Sequence, residues 1–357
     1  MSRLLPQTMK ALVKTDEKES YELKEIPVPQ AQEGELLVRI LKASICGSDI
    51  ALYRWNEVAQ IIAKVPFTPG HECVAEIVGV GPNCPPEFTV GKRVCCENHY
   101  YCGYCYQCSH DQRHICQNLS QYGHGKGTVH GACSQYSIIP ARYAYLLKTD
   151  IDDNTACLLE PFGVAHQAVE GLFPSGETVL VQGCGPIGLF CIGICKTLKA
   201  SKIIVTDVID EKLEMARTMG ADVVVNSKKE DLRTAVIRET NGDGAGRIVE
   251  ATGYPPLVNN SFSLLRKGGR IVLIGLPKAP LHVDNVLSDI VFKSLTMTTV
   301  HGRKIFHTWE KSEEMLHQKK VDVSVAVTHE FPMSQFEKAF EVLFSGQACK
   351  IMLNPQA

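Results

Sequence analysis

The stretch from residue 177 to residue 301 constrains the fold most, because short apolar runs alternate there with amphipathic segments. "ETVLVQG", "KIIVTDV", "DVVVNS", "RIVEATG", "RIVLIG" and "SLTMTTV" read as strands. Between the first five lie "PIGLFCIGICKTLKA", "DEKLEMARTMG", "KEDLRTAVIRETNG" and "PPLVNNSFSLLRKGG", which read as helices, the last expected to run as far as its paired glycines. Strands this apolar, separated by helices, need cover on both faces, which a parallel sheet between two helical layers provides. The expected fold class is therefore α/β, with a doubly wound, six-stranded parallel sheet. The first 150 residues differ: "ELLVRILKAS", "CVAEIVGVG", "GKRVCCE" and "SQYSIIPA" are short β-type runs among Gly and Pro, the pattern of an irregular, mostly β domain. The tail, with "VAVTHEF" and "SQFEKAFEVLFSG", lies beyond the alternating unit and is expected to return to the first domain.

Directly after the first of the six strands comes Gly183-Cys184-Gly185-Pro186-Ile187-Gly188, a G-x-G-x-x-G sequence between strand and helix. The first glycine allows a tight turn, the second lets a pyrophosphate approach the backbone, and the third lets the helix pack on the strand. Phosphates then face the amide groups of a helix N-terminus. Asp207 closes the next strand nineteen residues after Gly188, where a carboxylate accepts hydrogen bonds from ribose hydroxyls and repels a 2'-phosphate. No Arg, Lys or Ser follows it immediately, so NAD is expected rather than NADP. Gly183, Gly185, Pro186, Ile187, Gly188 and Asp207 are the cofactor-binding candidates, with Lys212 on the next helix. The bland alternative is a glycine turn beside a solvated aspartate.

Net charge is -2, which disfavours nucleic acid or an anionic membrane as partner, and no segment has the roughly 20 apolar residues of a membrane span. The N-terminal "MSRLLPQTMKALV" lacks the apolar stretch of a signal peptide, and an odd number of cysteines, fifteen, does not suggest a secreted disulfide framework. A reducing, cytoplasmic setting is expected.

Four of those cysteines, Cys102, Cys105, Cys108 and Cys116, follow C-x2-C-x2-C-x7-C. Four thiolates from one short lobe can enclose a tetrahedral zinc, leaving no position for substrate, so this set reads as structural; an iron–sulfur cluster or redox-active thiols are the alternatives. A second, dispersed set is Cys46 in "CGSDI", His71 and Glu72 in "PGHECV", and Glu160 in "LLEPFGV". Mixed thiolate, imidazole and carboxylate ligands suit a catalytic zinc with an open position. Spacing alone leaves the alternative of a packed thiol, a core histidine and surface acids.

The ordered pieces "CGSD", "PGHE", "GKRV", the cysteine lobe, "EPFG", "GCGPIG" and "TDV" resemble the zinc-containing medium-chain alcohol dehydrogenase superfamily over nearly the whole chain. Within it, "MKALVKT", "CGSDIALYRW", "EKLEMARTMGA" and "HGRKIFHTW" are similar to the L-threonine 3-dehydrogenase branch, with sorbitol and other polyol dehydrogenases next. The resemblance implies a GroES-like catalytic domain over residues 1–163, a Rossmann NAD-binding domain over 164–301, and a segment 302–357 returning to the first. It implies a cleft between the two, two zinc ions per chain, NAD, and a homo-oligomer, dimer or tetramer. Cys46 and His71 match zinc ligands, and Glu72 and Glu160 match acids that bind the metal directly or through water. Ser48 matches the hydroxyl that starts the proton relay. His99, in "CENHYYCG", resembles a pocket histidine of threonine dehydrogenases as an isolated match; Tyr53, Trp55 and Arg303 also align with that branch, with core packing or a subunit contact as the alternative. Two departures stand out: Ala51 replaces the relay histidine of many relatives, and Val164 follows Gly163 where threonine dehydrogenases tend to have Asn, which is closer to polyol enzymes.

The expected function is transfer of hydride from a small secondary alcohol to NAD, threonine dehydrogenase-like by resemblance. A polyol dehydrogenase is the alternative, and a non-catalytic NAD-binding protein a remote one.

Overall fold

The structure is a computed structural model describing residues 5–277 and 279–357. The chain divides into two compact units. The first comprises Met1–Glu160, Lys304–His317 and Val327–Ala357; the second comprises Pro161–Arg303 and Gln318–Ala326. The tail thus contributes to both, since Gln318–Ala326 packs with the second unit.

The second unit is built on six parallel strands. In spatial order they are Val223–Asn226, Lys202–Asp207, Thr178–Gln182, Ala245–Glu250, Leu265–Leu273 and Thr296–Thr299. The chain starts in the middle, winds outward to one side, then returns to the centre and winds to the other. The two directions diverge beside Thr178–Gln182, where the loops after adjacent strands part to leave a crevice. Leu180, Ile204, Ile248 and Ile271 form the middle of a core that excludes water almost completely. That burial explains the uninterrupted apolar runs of the sequence. One helix departs from expectation: Pro255–Leu264 stops before the paired glycines, because Leu265 already pairs with Ala245 in the sheet. Lys293 closes that helix end by donating to the carbonyls of Phe262 and Ser263 at 2.9 and 3.1 Å.

In the first unit, Glu35–Ser44 is the central strand of a seven-stranded, largely antiparallel sheet. It pairs with Glu72–Val80, with Tyr136–Pro140 and with Lys350–Asn354. Ser44 lies opposite both Glu72 and Met352. This register gathers three distant chain segments at one end of the sheet, where the metal candidates lie. Behind it, Leu12, Val38, Ile40, Phe67, Phe336 and Phe340 share a buried core. Tyr53 belongs to its margin, stacked on Phe340 with ring centroids 4.2 Å apart, and Trp55 is buried beneath Lys14, so both side chains pack rather than face an open site. Arg303 is fully buried in the second unit against Gly163, where a Cβ would meet its Cδ at 2.6 Å.

Candidate active site and metal centres

Cys46 follows the central strand and caps the helix Gly47–Arg54, three residues before Asp49. Its N–H donates to Asp49 Oδ2 at 2.8 Å, a reciprocal cap that fixes where the thiol sits. Ser48, in the first turn of the same helix, is half-buried. His71 and Glu72 enter from the start of the adjacent strand. The ligand atoms of Cys46, His71 and Glu72 all lie within 4.8 Å of one another. Residues from distant parts of the sequence therefore converge.

The charge of this cluster fits a dication. Burial works against a charged His71, yet Asp49, Cys46 and Glu160 outweigh it and raise the imidazole to about 10. Such a shift measures surplus negative charge around a buried ring, which a bound metal would neutralise. His71 Nδ1 has no hydrogen-bond partner among the described residues and faces Asp49 Oδ1 at 3.7 Å. The Asp49 carboxylate thus acts on the ring through its charge, which favours a cation beside it. The donor set, its polarity and its supporting acid all fit zinc.

Glu72 is already engaged. Lys350 Nζ donates to both its oxygens, at 2.9 and 2.6 Å, and to the Ile45 carbonyl at 3.0 Å, while Ser44 Oγ donates to Glu72 Oε2. Burial disfavours the Glu72 carboxylate, but Lys350 and His71 hold its pKa below the ordinary value. Glu160 is buried at the start of Leu159–Leu172 and acts on His71 through its charge; it lies outside the converging group of three.

His99 is buried on the short strand His99–Tyr100. Its Nδ1 and backbone N–H both donate to Glu97 Oε1, at 2.9 and 2.8 Å, and Trp309 Nε1 donates to Glu97 Oε2 at 2.7 Å. Glu97 is thus a fully buried carboxylate that fixes the ring of His99. His124 is buried too, its ring centroid 5.1 Å from that of His71. Burial, then the charges of His71 and His99, push it down to about 3.

The cysteine quartet also converges. Its sulfur separations are 3.5 Å for Cys105–Cys108 and for Cys102–Cys116, 3.7 Å for Cys105–Cys116, and 4.0 Å for Cys102–Cys108. Ligands about 2.3 Å from a tetrahedral zinc stand about 3.8 Å apart, so these thiols fit one ion. Backbone amides of Cys102 and Asn118 both donate to Cys116 Sγ at 3.3 Å, as expected around thiolates. All fifteen cysteines are free of disulfides.

In the second unit Gly185 caps the helix Pro186–Thr197, which carries Ile187 and Gly188 in its first turn. A Cβ at Gly188 would lie 1.9 Å from the Gly183 carbonyl oxygen, so only glycine permits this contact of helix and turn. At Gly185 nothing lies within 4 Å of such an atom, which leaves the phosphate side open. Asp207 Oδ2 accepts the Cys184 N–H at 2.7 Å, and Oδ1 accepts from Val208 and Ile209 at 2.7 and 3.1 Å. The carboxylate is thereby pinned beside the glycine turn. Lys212 lies in the helix Asp210–Thr218, half-buried.

A dinucleotide turn on one unit and a thiolate–imidazole–carboxylate set on the other define a metal-dependent dehydrogenase. Residues 32–149 match the family described as alcohol dehydrogenase GroES-like domain, and residues 186–318 that described as zinc-binding dehydrogenase. The chain is 35% identical to the L-threonine 3-dehydrogenase of Bacillus subtilis, over 97% of this chain and 99% of that one. An alcohol dehydrogenase (rspB) of Escherichia coli CFT073, solved with NADH, superposes with a TM-score of 0.88 at 28% identity, covering 98% of this chain and all of that one. The alcohol dehydrogenase of Thermus sp. ATN1 does so at 0.87 and 28%, covering 97% and 99%. The chain belongs to the zinc-binding dehydrogenases.

Sequence reasoning overlooked Lys350, Glu97, Trp309 and His124. Asp49 stood inside the quoted "CGSD", three residues after Cys46, and the capping pattern was the signal that could have singled it out.

Proposed function

We propose that the protein oxidises a small secondary alcohol to a ketone with NAD as acceptor, yielding NADH and a proton, and that its substrate is L-threonine or a close analogue. The observation that carries this reading is the convergence of Cys46, His71 and Glu72 within 4.8 Å beside a buried acid, Asp49. The whole-length similarity to L-threonine 3-dehydrogenases supports the choice of substrate. Val164 after Gly163 favours a polyol as the second reading. Catalytic chemistry is assigned to residues 1–163 with most of 302–357, and NAD binding to 164–301, where Gly183 to Gly188, Asp207 and Lys212 hold the coenzyme.

When bound, zinc supplies a Lewis acid that makes the substrate hydroxyl more acidic, and NAD takes the hydride. Cys46 and His71 hold the metal, with Glu72 or Glu160 completing the set. Asp49 adds negative charge beside His71, and Lys350 with Ser44 restrains Glu72. Ser48 accepts the hydroxyl proton and passes it towards solvent, Ala51 leaving the next step to water or another side chain. Cys102, Cys105, Cys108 and Cys116 hold a second, structural zinc.

No helix of the described residues is long and apolar enough to cross a membrane. Fifteen cysteines without a disulfide suit a cytoplasmic protein. Exposed Leu276, Val286, Leu287, Val291, Phe292 and Met297 lie in the segment around the edge strand Thr296–Thr299, which supports a homo-oligomer formed on this edge. Light scattering reads the oligomer directly. The function is tested by NADH absorbance with the zinc-loaded protein, NAD, and L-threonine, sorbitol or xylitol. Turnover of none of them would defeat this reading.

A further inference from the structure

His124 lies beside the proposed catalytic set without a role in it, and the chain goes to some length to put it there. It sits between Gly123 and Gly125, both at positive φ, in a loop pressed onto the segment that carries His71. A Cβ at Gly123 would lie 2.4 Å from the Gly70 carbonyl oxygen, and one at Gly125 would lie 1.9 Å from that of Lys64. Lys64 N–H donates to the His124 carbonyl at 3.0 Å, and Gly123 N–H donates to that of His130 at 2.9 Å. On the other side, His99 pairs with Gln121, and Tyr122 N–H donates to the Asn98 carbonyl at 3.2 Å. His124 is thereby lodged between the metal candidate His71 and the pocket candidate His99.

The ring is also fixed in one tautomer. Nδ1 lies 2.9 Å from the Tyr122 carbonyl oxygen, which can only accept, so Nδ1 carries the hydrogen. Nε2 is left as a lone-pair acceptor, and among the described residues nothing hydrogen-bonds it. An imidazole acceptor left without a partner is available to a donor on a ligand.

We infer that His124 is a specificity-determining residue, whose Nε2 accepts a hydrogen bond from an O–H or N–H donor on the carbon next to the reacting hydroxyl. The inference rests on the proposed alcohol oxidation at this site and narrows its substrate class to secondary alcohols with a vicinal donor. L-Threonine, 2,3-butanediol and 2-butanol form a matched series in which that donor is an ammonium, a hydroxyl or nothing. A site built around such a hydrogen bond discriminates against analogues that lack the donor.

The test compares the zinc-loaded wild type with His124→Phe, which removes the acceptor, and His124→Gln, whose amide oxygen can stand near the position of Nε2. Zinc content is measured for each. In His124→Phe, kcat/KM for the donor-bearing substrates that the wild type uses should fall about ten- to a hundredfold further than for 2-butanol, and His124→Gln should recover part of that difference. Whether L-threonine or 2,3-butanediol suffers the larger loss tells which donor is read. Calorimetric titration of the zinc- and NADH-loaded proteins with the same alcohols reads the contact without turnover. A wild type that oxidises none of the three, nor sorbitol or xylitol, would overturn the alcohol reading. Equal losses on all of them with zinc retained, or unchanged binding of the donor-bearing alcohols by His124→Phe, would overturn the role of His124 alone.

Discussion

Replacing Lys350 by Met isolates the electrostatic contribution of the restraint on Glu72. Both side chains are buried, 3% and 1% exposed, and the ammonium contacts both carboxylate oxygens. Removing it leaves a buried carboxylate supported only by the charge of His71 and the Ser44 hydroxyl, and an Ile45 carbonyl without the ammonium. Breaking a buried pair in this way costs about 3–5 kcal/mol. For a unit of about 200 residues that is a fall in Tm of roughly 6–20 °C. Lys350→Met/Glu72→Gln removes both charges and should recover most of the loss, so the cycle gives a large coupling energy. The sign of the pH dependence follows from the lowered pKa of Glu72: its contribution is full above the unfolded carboxyl value, near 4.3, and disappears as pH falls through the lower folded value. The gap between wild type and Lys350→Met should therefore narrow in acid. Calorimetric scans of zinc-free protein at matched rate, from neutral pH downwards, measure it. A loss below about 1 kcal/mol at neutral pH, or a double variant no more stable than the single one, would refute the reasoning.

Three further outcomes are expected. Cys46→Ala should abolish NAD reduction and release one zinc per chain while the fold persists, whereas Cys108→Ala should lose the other zinc and lower Tm, both read by metal analysis and thermal scanning. Asp207→Ser should weaken NAD and improve NADP relative to it; an unchanged ratio of kcat/KM for the two coenzymes would contradict a ribose-binding role. Glu97→Gln keeps the shape but weakens the hold on His99 and Trp309, so KM should rise more than kcat falls and the pH profile of kcat/KM should move, whereas a change in Tm alone would leave Glu97 purely structural.

The glycine turn and Asp207 were legible because their requirements are local: strand, turn, helix and the next strand follow one another in the sequence. The cysteine quartet was legible for the same reason, all four thiols lying within one lobe. The end of the helix Pro255–Leu264 was not, because pairing of Leu265 with Ala245 overrides the stop signal of the later glycines. Lys350 was illegible because its reach to Glu72 depends on sheet register, with Met352 opposite Ser44 and Ser44 opposite Glu72. Trp309 reaches Glu97 from a helix more than half the chain away, and His124, flanked by glycines, looks in sequence like any loop residue.

Anomalous diffraction at the zinc edge, from crystals of the purified holoprotein, tests the central claim most directly. Two peaks per chain are expected, one enclosed by the four cysteine sulfurs and one bonded to the Cys46 sulfur and a His71 ring nitrogen. A single peak inside the quartet, with Cys46 and His71 bound to no metal in zinc-replete protein, would contradict it.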